Sequence, residues 1–113
     1  MNVETYKTSS GKDLILDYID KLKNQLERAD GFAVIEKLEQ DKFDELKIKN
    51  WQGKISEVYF YKHNRIFYVI ADSENIYVLH ACRKQKNKTE KKDSEIVIKR
   101  AKEIGNIVSK KFI

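Results

Sequence analysis

The sequence contains no proline, one cysteine and no long apolar run. The single cysteine, Cys82, excludes an intramolecular disulfide and a cysteine-based metal cluster. His63 and His80 are too far apart to form a metal motif, so we expect chemistry that uses neither a metal nor another cofactor. No stretch approaches the roughly 20 apolar residues that cross a bilayer, and residues 1–4 do not begin a signal peptide. We therefore expect a cytosolic protein that acts away from membranes.

A chain of 113 residues, 41% hydrophobic and 36% charged, is typical of one domain (1–113) with a single modest core. Its charge is unevenly divided: residues 13–45 hold ten acidic and five basic side chains, whereas residues 46–113 hold sixteen basic and seven acidic. A basic half of this kind predicts a polyanionic partner, and nucleic acid is the commonest one in the cytosol. The alternative is a lysine-rich surface that contacts only solvent.

Three runs rich in Val, Ile, Tyr and Phe predict an antiparallel meander over residues 55–61, 65–71 and 76–82. A four-residue second loop places Phe67 opposite His80. Alternation along each strand then assigns the side chains to two faces. One face carries Arg65, Phe67, His80, Cys82 and Lys84, and the other carries Ile66, Tyr68, Ile70, Tyr77, Leu79 and Ala81.

The first loop decides which face carries Glu57. A two-residue loop would bury its carboxylate among apolar side chains, which is costly for an unpaired charge. A three-residue loop at residues 62–64, with Asn64 left-handed, puts Glu57 on the face of Arg65 instead. We predict the three-residue loop, which also brings Tyr59 and Tyr61 to that face. It makes one face polar, aromatic and cationic, and leaves the other to support helices.

Two helices are predicted before the meander and one after it. Ser10 and Asp13 match a capping box for a helix over about residues 12–27, and residues 30–31 break it before a second helix. The alternating character of residues 3–7 is compatible with an edge strand. Residues expected to be buried in these two helices are Ile15, Ile19, Leu22, Leu26, Val34, Ile35 and Leu38.

The run RKQKNKTEKK, residues 83–92, holds six cations and one acid and leaves the sheet beside Arg65. Thr89 is positioned to cap the last helix. The apolar stripe of that helix is predicted to contain Val97, Ala101, Ile104 and Val108.

The succession Glu57, Arg65-Ile66-Phe67-Tyr68, residues 76–84 and Lys88-Thr89 resembles the phage-derived, HigB-like branch of the RelE/ParE superfamily of toxins. That branch typically reads Glu-Leu-Arg, Arg-x-x-Tyr and Leu-His-(Gly/Ala)-Phe-x-Lys-Lys-Thr-x-Lys-Thr-Pro. The spacing from the arginine to the phenylalanine position is kept without a gap. The chain departs from the pattern at Tyr59 (for arginine), Cys82 (for phenylalanine), Gln85 (for the second lysine) and Glu90 (for proline).

The resemblance implies an α+β, RelE-like fold with two N-terminal helices on a twisted antiparallel sheet of three to five strands, plus a C-terminal helix. It also implies a toxin of a type II toxin-antitoxin system that cleaves mRNA on the ribosome and inhibits growth. The implied partners are the ribosome with its mRNA and a helix-turn-helix, HigA-like antitoxin. DNA would be contacted only through the toxin-antitoxin complex.

RNA supplies its own nucleophile, the 2′-OH, so such an enzyme must align it, move protons and stabilise charge. Arg65 is the candidate for holding the phosphate, and the alternative is an ion pair with Glu57. Lys84 is the candidate for stabilising charge or moving a proton. Glu57 is either the base or the group that orients Arg65, and His80 is either a proton-transfer group or a structural histidine.

The remaining candidates contact RNA without taking part in proton transfer. Tyr59, Tyr61 and Phe67 are predicted to stack on unpaired bases, with Tyr59 also offering a hydroxyl, although aromatic side chains on a sheet often pack on one another. The predicted contacts to RNA backbones are Arg83, Lys86, Lys88, Lys91 and Lys92.

Two other functions remain open because fold alone does not determine chemistry. One is a ParE-like toxin without nuclease activity that poisons a protein target such as gyrase. The other is an RNA-binding module that does not cleave.

Overall fold

The computed structural model describes residues 1–84 and 89–113 and has a five-stranded mixed sheet at its centre. The strand order is β1-β5-β4-β3-β2, with β1 parallel to β5 and the other neighbours antiparallel. The predicted α+β fold is confirmed, including the N-terminal edge strand, but the parallel pairing of β1 makes the sheet mixed rather than antiparallel. The strands are β1 (Asn2–Thr5), β2 (Lys47–Gln52), β3 (Ile55–Phe60), β4 (Asn64–Ile70) and β5 (Asn75–Arg83), and the helices are α1 (Leu14–Asp20), α2 (Gln25–Glu39) and α3 (Lys91–Val108).

The two N-terminal helices are divided differently from the prediction. Asp13 caps α1 by accepting from the backbone amides of Ile15 and Leu16, but α1 ends at Asp20. Asn24 then caps α2, so Leu26 lies in the first turn of α2 and is 69% exposed rather than buried. The sequence contained this start signal for α2, because asparagine is among the preferred N-cap residues.

The predicted break at residues 30–31 was wrong, since both residues lie inside α2. Gly31 is there because α2 crosses α1 and the sheet at that point. A Cβ on Gly31 would lie 2.9 Å from Ile19 Cγ2 and 3.0 Å from Phe60 Cε2. Glycine therefore permits a close approach, whereas in an isolated sequence it reads as a helix breaker.

The first loop has three residues, as predicted, but lies one residue earlier. Phe60 pairs with Asn64 and Tyr59 with Arg65, so residues 61–63 form the turn. Tyr61 and Lys62 take positive φ angles of 40° and 68° in place of Asn64. Because the shift preserves the alternation, Glu57 shares a face with Arg65 as predicted.

The second hairpin contains a β-bulge that moves part of the predicted face. Phe67 pairs with His80 as expected, but Tyr68 pairs with Val78, so Leu79 is the extra residue. Leu79 consequently packs on the same face as Phe67, and the prediction that Tyr77 and Leu79 support the N-terminal helices was wrong. The first core, beneath α1 and α2, contains Ile15, Ile19, Leu22, Val34, Leu38, Val58, Phe60, Ile66, Tyr68, Ile76, Val78 and Ala81.

Helix α3 covers part of the opposite face, which was predicted to be a polar surface. Its stripe of Val97 and Ala101 is buried and Ile104 and Val108 pack at its margin, as the sequence predicts. Glu90, not Thr89, occupies its N-cap position, and no side chain there caps the helix. Neither α1, α2 nor α3 combines the length and the apolar character of a membrane-spanning helix. The second core contains Ile55, Phe67, Val69, Ala71, Leu79, Cys82, Val97, Ala101 and Phe112.

Candidate functional site

Two rows of side chains cross the sheet on the face that carries Arg65. Residues paired directly across antiparallel strands point to the same face, so the register defines each row. Each row starts with a lysine on β2. The row nearer the β3–β4 turn is Lys47, Tyr59, Arg65 and Cys82, and the other row is Lys49, Glu57, Phe67 and His80.

Four side chains meet at this face, and we call them the Glu57 cluster: Glu57, Tyr59, Arg65 and Lys84. Glu57 Oε2 lies 3.5 Å from Lys84 Nζ and 3.9 Å from Arg65 Nε. The Arg65 guanidinium lies over the Tyr59 ring, with Cζ 3.6 Å from the ring centroid. The structure thus brings together four of the five predicted catalytic residues.

Burial gives the Glu57 cluster unusual electrostatics. Glu57 is 1% exposed, Lys84 5% and Arg65 8%, so one carboxylate and two cations have lost most of their hydration. Glu57 balances only one of the two positive charges. The Arg65 Nε proton also has no acceptor among the described residues. A net positive, poorly hydrated site of this kind favours the approach of an anion.

A second network, beside the cluster, holds the ends of β4 and β5 in place. The Glu27 carboxylate of α2 accepts from Asn64 Nδ2 at 2.5 Å and from Arg83 Nη2 at 2.6 Å. Tyr18 donates its hydroxyl proton to Asn64 Oδ1 at 2.6 Å, and burial raises the pKa of Tyr18 to about 12. Asn64 and Arg83 directly precede Arg65 and Lys84, so this network positions both cations. Arg83, predicted to contact RNA, is paired with Glu27 and keeps 44% of its side chain exposed.

His80, the fifth predicted catalytic residue, faces α3. Its Nε2 lies 2.8 Å from Asp93 Oδ1, and its Nδ1 lies 3.2 Å from Arg100 Nη1. Phe67 stands between it and Glu57 in the same row. Burial lowers the pKa of His80, although Asp93 acts in the opposite direction. This environment fits a structural histidine that joins the sheet to α3.

Two of the predicted base-stacking residues are placed away from the open surface. Phe67 is fully buried and makes an edge contact with Trp51, with ring centroids 5.2 Å apart, so it has no surface for a base. Tyr61 is half-buried, and its hydroxyl accepts from Asn24 Nδ2 at 3.1 Å while its backbone amide donates to Asp30. Tyr59, in contrast, lies within the Glu57 cluster.

The predicted backbone contacts divide between described and undescribed residues. Lys91 and Lys92 are exposed in the first turn of α3. Lys86 and Lys88 lie outside the described residues.

His80, Cys82 and Asp93 place their possible ligand atoms within 4.8 Å of one another. Arg100 donates to His80 Nδ1, which leaves the ring proton on Nε2, directed at Asp93. Burial raises the pKa of the Cys82 thiol to about 12. Asp93 and Arg100 occupy both ring nitrogens of His80, which opposes metal coordination because a ligand needs a free imidazole nitrogen.

Sequence reasoning missed the contribution of β2 to this face. Lys47 and Lys49 extend the two rows, and Trp51 packs beside them. Trp51 Nε1 donates to Thr89 Oγ1 at 3.0 Å, which links β2 to the segment before α3. The alternation Lys47-Ile48-Lys49 carried the signal, because it places both lysines on one side of a strand.

The family model described as phage derived protein Gp49-like matches residues 15–102, from α1 into α3 and including the whole Glu57 cluster. No curated protein matches the chain.

Proposed function

The chain belongs to the Gp49-like family of phage-derived proteins, a RelE/ParE-like toxin family, and we propose that it is a toxin that cleaves ribosome-bound mRNA without a metal. The observation that carries this proposal is the Glu57 cluster. Two buried cations flank a single carboxylate on the sheet. The resemblance to HigB-like toxins adds the ribosome as the place of action and a helix-turn-helix antitoxin as the inhibitory partner.

The scissile phosphate is the anion that this cluster suits. Arg65 uses Nη1 on the backbone oxygen of Asn64 at 3.0 Å and keeps other guanidinium protons for phosphate oxygens. Lys84, which directly follows β5, places its Nζ 3.5 Å from Glu57 Oε2. As the phosphate gains charge in the transition state, both cations stabilise it more strongly than they would in water.

The reaction conserves atoms and protons without a further reactant. The 2′-oxygen attacks the neighbouring phosphorus and loses its proton, the bond to the 5′-oxygen breaks, and that oxygen takes up a proton. The products are a 2′,3′-cyclic phosphate and a 5′-hydroxyl. Glu57 is the carboxylate in the cluster that can accept the first proton, and Lys84 can supply the second.

The direct test is to map new 5′ ends on translated mRNA after brief expression in cells. Wild type is expected to create ends within reading frames, and Arg65→Ala is expected to reduce them at least about 100-fold. Lys23→Ala is the matched control, because Lys23 is an exposed lysine between α1 and α2, in the acidic part of the chain. Its cleavage should equal that of wild type.

Growth arrest without new 5′ ends would overturn the nuclease proposal and favour a toxin acting on a protein target. Full cleavage by a folded Arg65→Ala protein would instead remove the cluster from the mechanism. Circular dichroism on each purified variant separates these results from misfolding.

A further inference from the structure

A polar groove of about 300 Å³ runs from the Glu57 cluster to the start of α3. This volume lies at the lower end of the range for small-molecule sites, about 300 to 1,000 Å³. Glu57 and Lys84 form the end that adjoins the proposed phosphate site. The other lining residues are Lys49, Asn50, Trp51, Gln52, Thr89 and Ser94.

The wall formed by β2 results from a bulge. Asn50 pairs with Ser56 and Gln52 with Ile55, so Trp51 is the extra residue. Bulges redirect side chains and often lie beside active sites. Here the indole is fixed by its edge contact with Phe67 and by its hydrogen bond to Thr89. These two contacts therefore hold an aromatic side chain in one position in the groove.

One of the remaining groups in the groove suits the edge of a heterocycle. Asn50 pairs with Ser56, so its side chain lies on the opposite face of β2, where it donates to the backbone oxygen of Gly53 at 3.2 Å and steadies the turn. Gln52 is exposed, and its amide makes no hydrogen bond within the described part of the chain. Amide side chains pair with base edges, and aromatic side chains stack on unpaired bases.

We propose that this groove binds one unpaired base of the RNA, next to the phosphate held by the Glu57 cluster. The inference rests on the proposed nuclease function and names the part of the substrate that the groove takes. Trp51 supplies the stacking surface and Gln52 contacts the base edge. Asn50 and Thr89 keep the two walls in place.

Trp51 is the only tryptophan, so its fluorescence reports on the groove without any need for cleavage. The purified protein is titrated with 2′-O-methylated trinucleotides, which lack the attacking hydroxyl. A saturable change in emission is expected. Gln52→Ala should weaken binding at least about threefold. Gln25→Ala is the matched control, an exposed glutamine at the start of α2, and should bind like wild type.

A trinucleotide whose central base is missing distinguishes base binding from phosphate binding. It is expected to bind at least about tenfold more weakly, in line with the loss of one stacked base. Equal binding of the abasic oligomer, or no saturable change with any trinucleotide, would overturn the groove proposal. So would unchanged binding by Gln52→Ala.

The mapping of 5′ ends separates this proposal from the proposed function. Fluorescence changes that follow the expected pattern in a protein that makes no cuts would keep the base-binding groove and remove the nuclease. Cuts in mRNA by a protein whose tryptophan does not respond would keep the nuclease and remove the groove.

Discussion

Glu57 is the residue on which both the stability of the site and its proposed chemistry depend. It lies between two cations that are themselves almost fully buried. A buried charge without its partner is strongly destabilising, so the cations and the carboxylate depend on one another.

Glu57→Gln is therefore expected to lower the free energy of unfolding by about 3 kcal/mol, since it keeps the side-chain shape and leaves two buried cations unbalanced. Urea unfolding at neutral pH measures the change. The control is Glu95→Gln, because Glu95 is exposed on α3. A Glu57→Gln midpoint equal to that of wild type would show that the two cations do not need this charge.

His80 makes the stability depend on pH. Its folded pKa lies below the usual value of 6.5, so on acidification the unfolded chain takes up a proton that the folded protein does not. Stability should fall as pH drops below about 6.5, by at most about 1.4 kcal/mol per pH unit. His80→Asn should flatten this dependence in urea titrations, whereas the exposed His63→Asn should retain it.

At the scale of elements, the close crossing of α1 and α2 constrains Gly31. Alanine normally stabilises a helix relative to glycine by about 1 kcal/mol. Gly31→Ala is expected to do the opposite and cost about 1 to 3 kcal/mol, because its Cβ would meet Ile19 and Phe60. Thermal unfolding decides the sign, and a raised melting temperature would contradict the packing described.

The alternation of apolar and polar side chains predicted the strands and most of their faces, but it did not predict the β-bulges. Alternation placed Arg65, Glu57 and Lys84 on one face correctly, because no bulge interrupts the strand pairing that relates these three residues. The bulge at Leu79 could not be predicted from the sequence, because both faces of the sheet carry an apolar core and a leucine suits either one. The sequence left His80 open between proton transfer and a structural role, because nothing local indicated that Asp93 and Arg100 of α3 would enclose it.

Two features of the chain account for the errors in the predicted helices. Asn24 carried a visible N-cap signal, but the longer apolar periodicity concealed it. The role of Gly31 depends on contacts with Ile19 and Phe60, which are distant along the chain. Close approaches of this type are tertiary facts and leave no local pattern.

For the molecule as a whole, the uneven charge predicts how salt should affect the proposed binding to RNA. Lys91→Ala with Lys92→Ala should reduce the slope of log affinity against log salt by about two, one for each lost phosphate contact. Ribosome binding at several salt concentrations measures this slope. The positions of cleavage should stay the same. Lys23→Ala with Lys42→Ala, in the acidic part of the chain, should leave the slope unchanged.

The parallel pairing of β1 with β5 has a consequence for synthesis of the chain. Val3 pairs with Ile76, so the first strand must wait for nearly the whole sheet to leave the ribosome. Such distant pairing slows folding. Lys84 follows β5 directly, and α3, which closes the second core, comes later still. A nascent chain that has not yet reached Lys84 lacks one of the two cations, so the complete site arises only after all five strands have been made.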